Sequence, residues 1–190
     1  FIFNFEERKN LRDAFIEFLE YDFDALSSTS SYGVSFAISI ADRLNKNFVF
    51  LDDSYKNYNK RYHIHGLEDL RNLEQKRVVI ISDKLATGSA IIRATCALRN
   101  FGMISDKFHS IFDYGYSSAK DVFSGKTGFN EFGQKLIIPL ETKSLFDLDT
   151  LLEVAVEDKY INYEEKDDIL LWRDDYKKWS ATHNYTSSFP

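Results

Sequence analysis

The hydrophobic positions follow two spacings that alternate along the chain. Apolar residues three or four apart predict a helix over residues 5–20, whereas the short apolar run 48–51 has the length of a buried parallel strand. The clearest strand spans residues 77–81, where β-branched side chains suit both faces of a central strand. Strands that alternate with helices predict an α/β fold, in which helices cover both faces of a central, mostly parallel sheet.

The same patterns place the remaining elements. Further strands are predicted at residues 23–26, 108–112 and 136–140, and further helices at 34–44, 89–101, 117–123, 147–156 and 163–172. Pro139 interrupts the 136–140 strand and indicates an edge position. Asp147 is expected to cap the helix that it opens. The length predicts a single domain over residues 1–190, with a loose tail over 182–190.

Composition narrows the possible partners. The chain has 24 Lys and Arg residues and 30 Asp and Glu residues, which gives a formal net charge of -6. A surface that binds nucleic acid needs a stripe of basic residues, and this acidic composition argues against one. No apolar run approaches the roughly 20 residues of a membrane span, and no signal peptide is recognised. We therefore expect a cytoplasmic protein that binds neither nucleic acid nor membrane. Cys96 is the only cysteine, and we expect it to be buried as a small hydrophobe.

The candidate chemistry lies in residues 82–90, between a buried strand and a helix. Ligands of doubly wound sheets bind beyond the carboxyl ends of the strands, where a helix amino terminus attracts anions. Gly88 allows close approach of the backbone, Thr87 and Ser89 offer hydroxyls, and Asp83 can accept hydrogen bonds from a sugar. This pattern predicts a phosphate site. The alternative is an ordinary helix cap, and the spacing is not that of a Walker loop.

The strand and loop of residues 78–90 resemble the signature of type I phosphoribosyltransferases, whose fold is Rossmann-like. In that family the loop holds the 5-phosphate of phosphoribosyl pyrophosphate, and an acidic pair before it holds the ribose hydroxyls. The resemblance implies that Asp83 is the second acid, with a catalytic role, and that Ser82 occupies the place of the first. It also implies that the substrate is bound by Ser82, Lys84, Leu85, Ala86, Thr87, Gly88, Ser89 and Ala90.

Other segments resemble the same family, and some resemble its orotate branch. Residues 28–33 are similar to the pyrophosphate loop, which implies substrate binding by Ser30, Ser31, Tyr32 and Gly33. Residues 111–120, residues 148–155 and the closing helix with Leu171, Trp172 and Arg173 resemble the orotate branch. The resemblance covers most of the chain from about residue 23 onward.

Residues 52–66 are expected to form the family's mobile catalytic loop. The resemblance implies that Lys56 binds substrate there and that Lys60 and Arg61 are catalytic, since cations meet the leaving pyrophosphate; simple surface charges are the alternative. Ile64-His65-Gly66 matches two different family segments, so the alignment of His63 and His65 stays open.

Residues 1–20 resemble the end of a base-binding hood and the first helix. The resemblance implies that Phe3 stacks on a base. The alternative is that Phe3 is an ordinary strand residue. The implied reaction transfers phosphoribosyl from phosphoribosyl pyrophosphate to orotate, giving orotidine 5'-monophosphate for pyrimidine nucleotide biosynthesis. The resemblance also implies Mg²⁺ as cofactor, with no metal ligands assigned in the chain, and a homodimer.

Two other functions fit parts of the sequence. A phosphoribosyltransferase fold could have lost catalysis and serve as a nucleotide-binding or regulatory module, because Ser82 replaces an acid and the 52–66 loop is poor in lysine. An unrelated α/β nucleotide binder is the third hypothesis, and such a protein would have no affinity for phosphoribosyl pyrophosphate.

Overall fold

Six strands form one sheet in the computed structural model, which describes residues 4–20, 22–52, 63–65, 75–124 and 140–183. The strands are β1 (Ala25–Ser28), β2 (Asn47–Asp52), β3 (His63–His65), β4 (Val78–Leu85), β5 (Lys107–Asp113) and β6 (Glu141–Asp147). Their order in the sheet is β3-β2-β1-β4-β5-β6. Only β3 runs antiparallel to its neighbour β2 among the described strands, which confirms the prediction of a mostly parallel α/β sheet.

Seven helices accompany these strands in the described residues. They are α1 (Phe5–Phe18), α2 (Ser31–Leu44), α3 (Ser89–Asn100), α4 (Ser117–Phe123), α5 (Leu148–Glu157), α6 (Tyr163–Asp174) and α7 (Tyr176–Thr182). The side chain of Asp147 caps α5 by accepting a hydrogen bond from Thr150 N at 2.8 Å, as predicted. None of the described helices combines the length and the apolar composition needed to cross a bilayer.

The strand order reverses between β1 and β4. From β1 the chain passes through α2 to β2 on one side, and from β4 it passes through α3 to β5 on the other side. The two connections diverge, so a crevice opens beyond the carboxyl ends of β1 and β4. This is the position at which ligands bind in open α/β sheets.

The core lies on both faces of β4. Val78 and Ile80 belong to one apolar cluster, with side chains of α3 and α4, while Val79 and Ile81 belong to the other, with side chains of α1 and α2. All four are 1% exposed or less. This confirms that residues 77–81 contain a central strand, since only such a strand buries successive side chains.

The edge strand that was predicted over residues 136–140 lies later in the chain. On this side of the sheet the edge strand is β6, which begins one residue after Leu140, so the prediction is wrong at Leu140. Residues 136–139 lie outside the described residues. The sequence of β6 is polar and has no fully buried side chain, so its hydrophobic pattern gives little signal. It is defined instead by hydrogen bonding to β5 over residues 141–147.

Several other boundaries differ from the predictions. The strand predicted at 23–26 begins at Ala25. The helix α7 was not predicted, because it has only seven residues and none of them is buried. The loop predicted over 52–66 is wrong at Asp52, the end of β2, and at 63–65, which form β3. The predictions of a single domain and of a loose tail remain predictions.

Candidate active site

A serine hydroxyl joins the segment after β1 to the carboxyl end of β4. Ser30, which follows β1, donates a hydrogen bond from Oγ to Asp83 Oδ1 of β4 at 2.8 Å. The same Oγ accepts from Gly33 N at 2.9 Å and so caps the amino terminus of α2. This one hydroxyl therefore both caps α2 and orients the Asp83 carboxylate.

The Asp83 carboxylate is held on one of its two oxygens. Ser82 Oγ donates to the same Oδ1 at 3.2 Å, and Ser82 is 3% exposed. Within the described residues, Oδ2 has no hydrogen-bond partner, and Asp83 is half-buried. The two serines therefore orient a carboxylate that keeps one oxygen for a further donor, such as a sugar hydroxyl.

The floor of the crevice is closely packed around Gly33. A Cβ added to Gly33 would lie 2.3 Å from Ser28 Oγ and 2.6 Å from Ser30 Oγ, so any larger residue would displace these hydroxyls. Ser28 is fully buried, and its Oγ lacks a hydrogen-bond partner in the described part of the chain. A buried hydroxyl without a partner costs stability, and such groups occur where a ligand or water completes the bonding.

The phosphate turn, residues 86–88, connects β4 to α3. The strand continues to Leu85, so residues 82–85, which were predicted as part of the loop, belong to β4. Gly88 is the N-cap of α3 and has a φ of 79°, which favours glycine. No described side chain caps α3, although five of the other helices have a side-chain cap.

The first turn of α3 presents free backbone amides. Ile92 N makes the first helical hydrogen bond, to Gly88 O at 3.0 Å, so the N–H groups of Ser89, Ala90 and Ile91 have no helical acceptor. Thr87 Oγ1 and Ser89 Oγ lie 3.3 Å apart at the same turn. Amides, hydroxyls and the positive end of the helix together suit a bound phosphate.

Phe123 of α4 supports the phosphate turn from the core side. A Cβ added to Gly88 would lie 2.5 Å from Phe123 Cζ, and Phe123 is 4% exposed. The Phe123 ring therefore prevents the phosphate turn from packing closer to the core. Sequence analysis did not identify this role, because an apolar residue at helical spacing reads simply as core.

The remaining predicted site residues differ in exposure and in secondary structure. Ser31 and Tyr32 were predicted in a loop, but they form the first turn of α2, and Tyr32 is 59% exposed. Lys84 is exposed and Ala86 is half-buried. The side chain of Leu85 lies in the core, so this residue can offer only its main chain to a ligand. The predicted residues Phe3, Lys56, Lys60 and Arg61 lie outside the described residues.

The described residues offer a metal ion few ligands. No group of three or more His, Cys, Asp or Glu side chains lies together in the described parts of the chain. Mg²⁺ commonly binds through one or two carboxylates together with substrate phosphates. Asp83 Oδ2, which has no hydrogen-bond partner among the described residues, fits an ion of that kind.

Comparison with known proteins supports the resemblance seen in the sequence. No protein-family model matches the chain. The orotate phosphoribosyltransferase of Coxiella burnetii is 29% identical over 177 residues, which cover 92% of this chain and 77% of that protein. The orotate phosphoribosyltransferase of Oceanobacillus iheyensis is 34% identical over 140 residues, 68% of this chain and 67% of that protein.

Solved structures agree on the fold. The crystal structure of orotate phosphoribosyltransferase from Aeropyrum pernix superposes with a TM-score of 0.61 at 20% identity, covering 80% of this chain and 77% of that one. At this identity the likeness establishes a shared fold and no more, and it confirms the predicted type I phosphoribosyltransferase fold. Taken with the identity to relatives over most of their length, it shows that the chain belongs to the orotate phosphoribosyltransferase family.

Proposed function

We propose that this protein transfers the phosphoribosyl group from phosphoribosyl pyrophosphate to orotate, forming orotidine 5'-monophosphate and pyrophosphate. The observation that carries the proposal is the Ser30–Asp83 hydrogen bond of 2.8 Å, at the point where the strand order reverses. It places an oriented carboxylate beside the uncapped amino terminus of α3. A ribose bearing a 5-phosphate needs both features close together.

The two ends of the sugar phosphate would contact different groups. Asp83 Oδ2 accepts a hydrogen bond from a ribose hydroxyl, while Ser82 and Ser30 hold Oδ1. The amides of the first turn of α3 and the hydroxyls of Thr87 and Ser89 bind the 5-phosphate. Binding at both ends fixes the anomeric carbon relative to the sheet, which lowers the entropic part of the barrier.

The pyrophosphate lies against the amino terminus of α2 in this proposal. The N–H groups at Ser31 and Tyr32 belong to the first turn of that helix, whose positive end favours an anion. The predicted contributions of Lys56, Lys60 and Arg61 complete this part of the site. Cationic donors there would stabilise the charge that grows on the leaving group.

The reaction exchanges one bond at the anomeric carbon. A ring nitrogen of orotate forms the new C–N bond as the C–O bond to pyrophosphate breaks, and both electrons of that bond leave with the pyrophosphate. The nitrogen releases its proton, which the departing pyrophosphate or solvent takes up. Mg²⁺, bound with the phosphates, would supply further charge neutralisation. Within the chain, Asp83 orients the sugar. Closure of the predicted loop, which would now be confined to residues between β2 and β3, would exclude the water that hydrolyses the sugar phosphate.

An absorbance assay of orotate consumption with phosphoribosyl pyrophosphate and Mg²⁺ tests the proposal. Asp83→Asn and Thr87→Ala should each lower kcat/KM by about tenfold or more, the effect of losing one charge-assisted or phosphate contact. Asp158→Asn and Thr142→Ala make the same chemical changes at exposed positions outside the crevice and should leave the rate unchanged. A wild type no faster than the Asp83 and Thr87 variants contradicts the proposal.

Such an outcome would favour a catalytically weakened binding module. Ser82 provides a specific reason to test it, because its buried hydroxyl stands where the family has a first acid. Calorimetric titration with phosphoribosyl pyrophosphate and Mg²⁺ then tests the binding module, which gives a measurable affinity without turnover. The hypothesis of an unrelated nucleotide binder is wrong, because the chain belongs to the orotate phosphoribosyltransferase family.

We further propose that the protein is a cytoplasmic homodimer of the pyrimidine biosynthetic pathway, without nucleic-acid or membrane partners. Exposed apolar side chains support association: Leu151 and Val154 lie three residues apart on α5 and are 46% and 47% exposed. Sedimentation at several protein concentrations measures the oligomeric state, and a concentration-independent monomer contradicts the dimer.

A further inference from the structure

The segment that follows β5 is tied to the phosphate turn. This tyrosine strap consists of Tyr114, Gly115 and Tyr116. Tyr114 N donates to Leu85 O at 3.0 Å, and Leu85 is the residue at which β4 ends and the phosphate turn begins. The strap therefore lies beside the phosphate turn, at the carboxyl edge of the sheet and on the side away from β1.

The strap carries two half-buried aromatic rings. The rings of Tyr114 and Tyr116 are stacked, with centroids 6.0 Å apart and an interplanar angle of 28°. Trp172 of α6 lies 6.3 Å from each of them. A wall of aromatic rings of this kind suits a planar heterocyclic base, because offset stacking gains energy beyond that of area burial.

An ion pair from the carboxyl-terminal helices lies against the middle of the strap. Arg173 Nη1 of α6 donates to Asp149 Oδ2 of α5 at 2.8 Å. A Cβ added to Gly115 would lie 3.4 Å from that Nη1 and 3.8 Å from that Oδ2, so the pair packs on the Gly115 Cα. Gly115 has a φ of 78°, and its N–H donates to Asp113 Oδ1 at 2.8 Å.

The ion pair is better suited to hold a position than to stabilise the fold. Asp149 is 60% exposed, and ion pairs with exposed carboxylates add little to stability. The Arg173 side chain is 11% exposed, and its Nε also donates to Asp174 Oδ1 at 2.7 Å. Arg173 thus has two acidic partners, of which Asp149 is the one placed against Gly115.

We infer that the Arg173–Asp149 pair positions the tyrosine strap as the wall that receives the base, so that α5 and α6 set the affinity for the base. This inference rests on the proposed transfer to orotate. Arg173 and Asp149 are positioning residues, since they act through the strap, and the strap is the part that would touch the base. Loss of the pair should let the strap move and weaken base binding without affecting the sugar phosphate.

The test varies both substrates in steady-state kinetics of Asp149→Asn. We expect the KM for orotate to rise about fivefold, with the KM for phosphoribosyl pyrophosphate and the melting temperature unchanged. Asp174→Asn is the matched control, because it removes the other carboxylate from the same guanidinium without touching Gly115. It should leave both KM values unchanged. Asp149→Glu keeps a carboxylate and should recover most of the affinity for orotate.

Gly115→Ala provides a second variant that does not alter the charges. The added Cβ would lie at ordinary contact distance from the guanidinium, but alanine rarely adopts a φ of 78°, so the strap should shift and the KM for orotate should rise. Equal effects of the Asp149 and Asp174 variants, or an unchanged KM for orotate in Asp149→Asn, overturn the positioning role while transfer by the wild type still stands. A wild type without orotate transfer overturns the proposed function and this inference together.

Discussion

Ser30 Oγ lies 2.8 Å from Asp83 Oδ1 and is also the N-cap of α2. The two residues are 53 positions apart in the chain, and they meet because β1 and β4 are neighbours in the sheet. One hydroxyl therefore couples the start of a helix to the orientation of the carboxylate that would hold the ribose. The coupling explains how Asp83 keeps a defined position although Ser82 replaces an acid beside it.

Ser30→Gly should separate these two roles of the hydroxyl. Glycine is tolerated as an N-cap at a cost of only a few tenths of a kcal/mol, but it cannot donate to Asp83. We expect the KM for phosphoribosyl pyrophosphate to rise about tenfold, with little change in melting temperature. Ser30→Thr keeps the hydroxyl and serves as the control. If the glycine and threonine variants have equal KM values, the hydroxyl does not orient the carboxylate.

Gly33→Ala should destabilise the protein although alanine is the better helix former. The gain in helix propensity is about 1 kcal/mol, whereas a Cβ only 2.3 Å from Ser28 Oγ requires the crevice floor to shift. Overpacking of this kind costs about 1–3 kcal/mol, so a net loss of stability is expected in urea denaturation. The double variant with Ser28→Ala removes the nearest atom and should recover part of that loss. A single variant as stable as the wild type would contradict the packing around Gly33.

The stability of the fold should depend on pH through His109. This side chain is fully buried in β5, and neither ring nitrogen has a hydrogen-bond partner in the described residues. Burial is the main cause that lowers the pKa of His109 from 6.5 to about 4; the charges of Lys143 and Lys107 add to this shift, and those of Glu141 and Glu20 oppose it. Between these values the unfolded chain binds a proton that the folded chain does not. The contribution of neutral His109 is therefore complete above pH 6.5 and is lost as the pH falls towards 4.

Urea denaturation at a series of pH values between 7.5 and 4 measures this effect. His109→Leu removes the titrating group and should flatten the dependence in that window. His183→Gln removes an exposed histidine and should leave the dependence unchanged. Parallel curves for His109→Leu and the wild type would show that another group is responsible.

A second pH window belongs to Glu20, which ties α1 to two strands. Hydrogen bonds from Lys107 and then Lys143 are the main causes that lower the pKa of Glu20 from 4.5 to about 2. Its contribution to stability is present above pH 4.5 and is lost as the pH falls towards 2. Glu20→Gln should reduce the slope of stability against pH in this window only. Because the carboxylate is exposed, 1 M salt should reduce the slope of the wild type as well.

The elements with strong local signals could be predicted from the sequence. Successive buried side chains in β4 and the helical spacing in α3 identified a central strand and the helix after it, and hence the phosphate turn. β6 could not be predicted because its polar sequence has no fully buried side chain to create an alternating pattern. α7 could not be predicted because it has only seven residues and none of them is buried. Their positions depend on pairing with β5 and on packing against α6.

The amino-acid pattern alone was sufficient for the family and for the alternation of strands and helices, because these follow from residues close together in the chain. The same local pattern is the source of the phosphate site proposed at residues 86–88. Packing of the folded chain was needed to bring Ser30 to Asp83, Phe123 under Gly88, and Arg173 against Gly115. Each of these contacts joins residues that are distant in sequence and that meet only when neighbouring strands and their helices are assembled. No local spacing encodes such contacts, and they hold the groups of the proposed site in register.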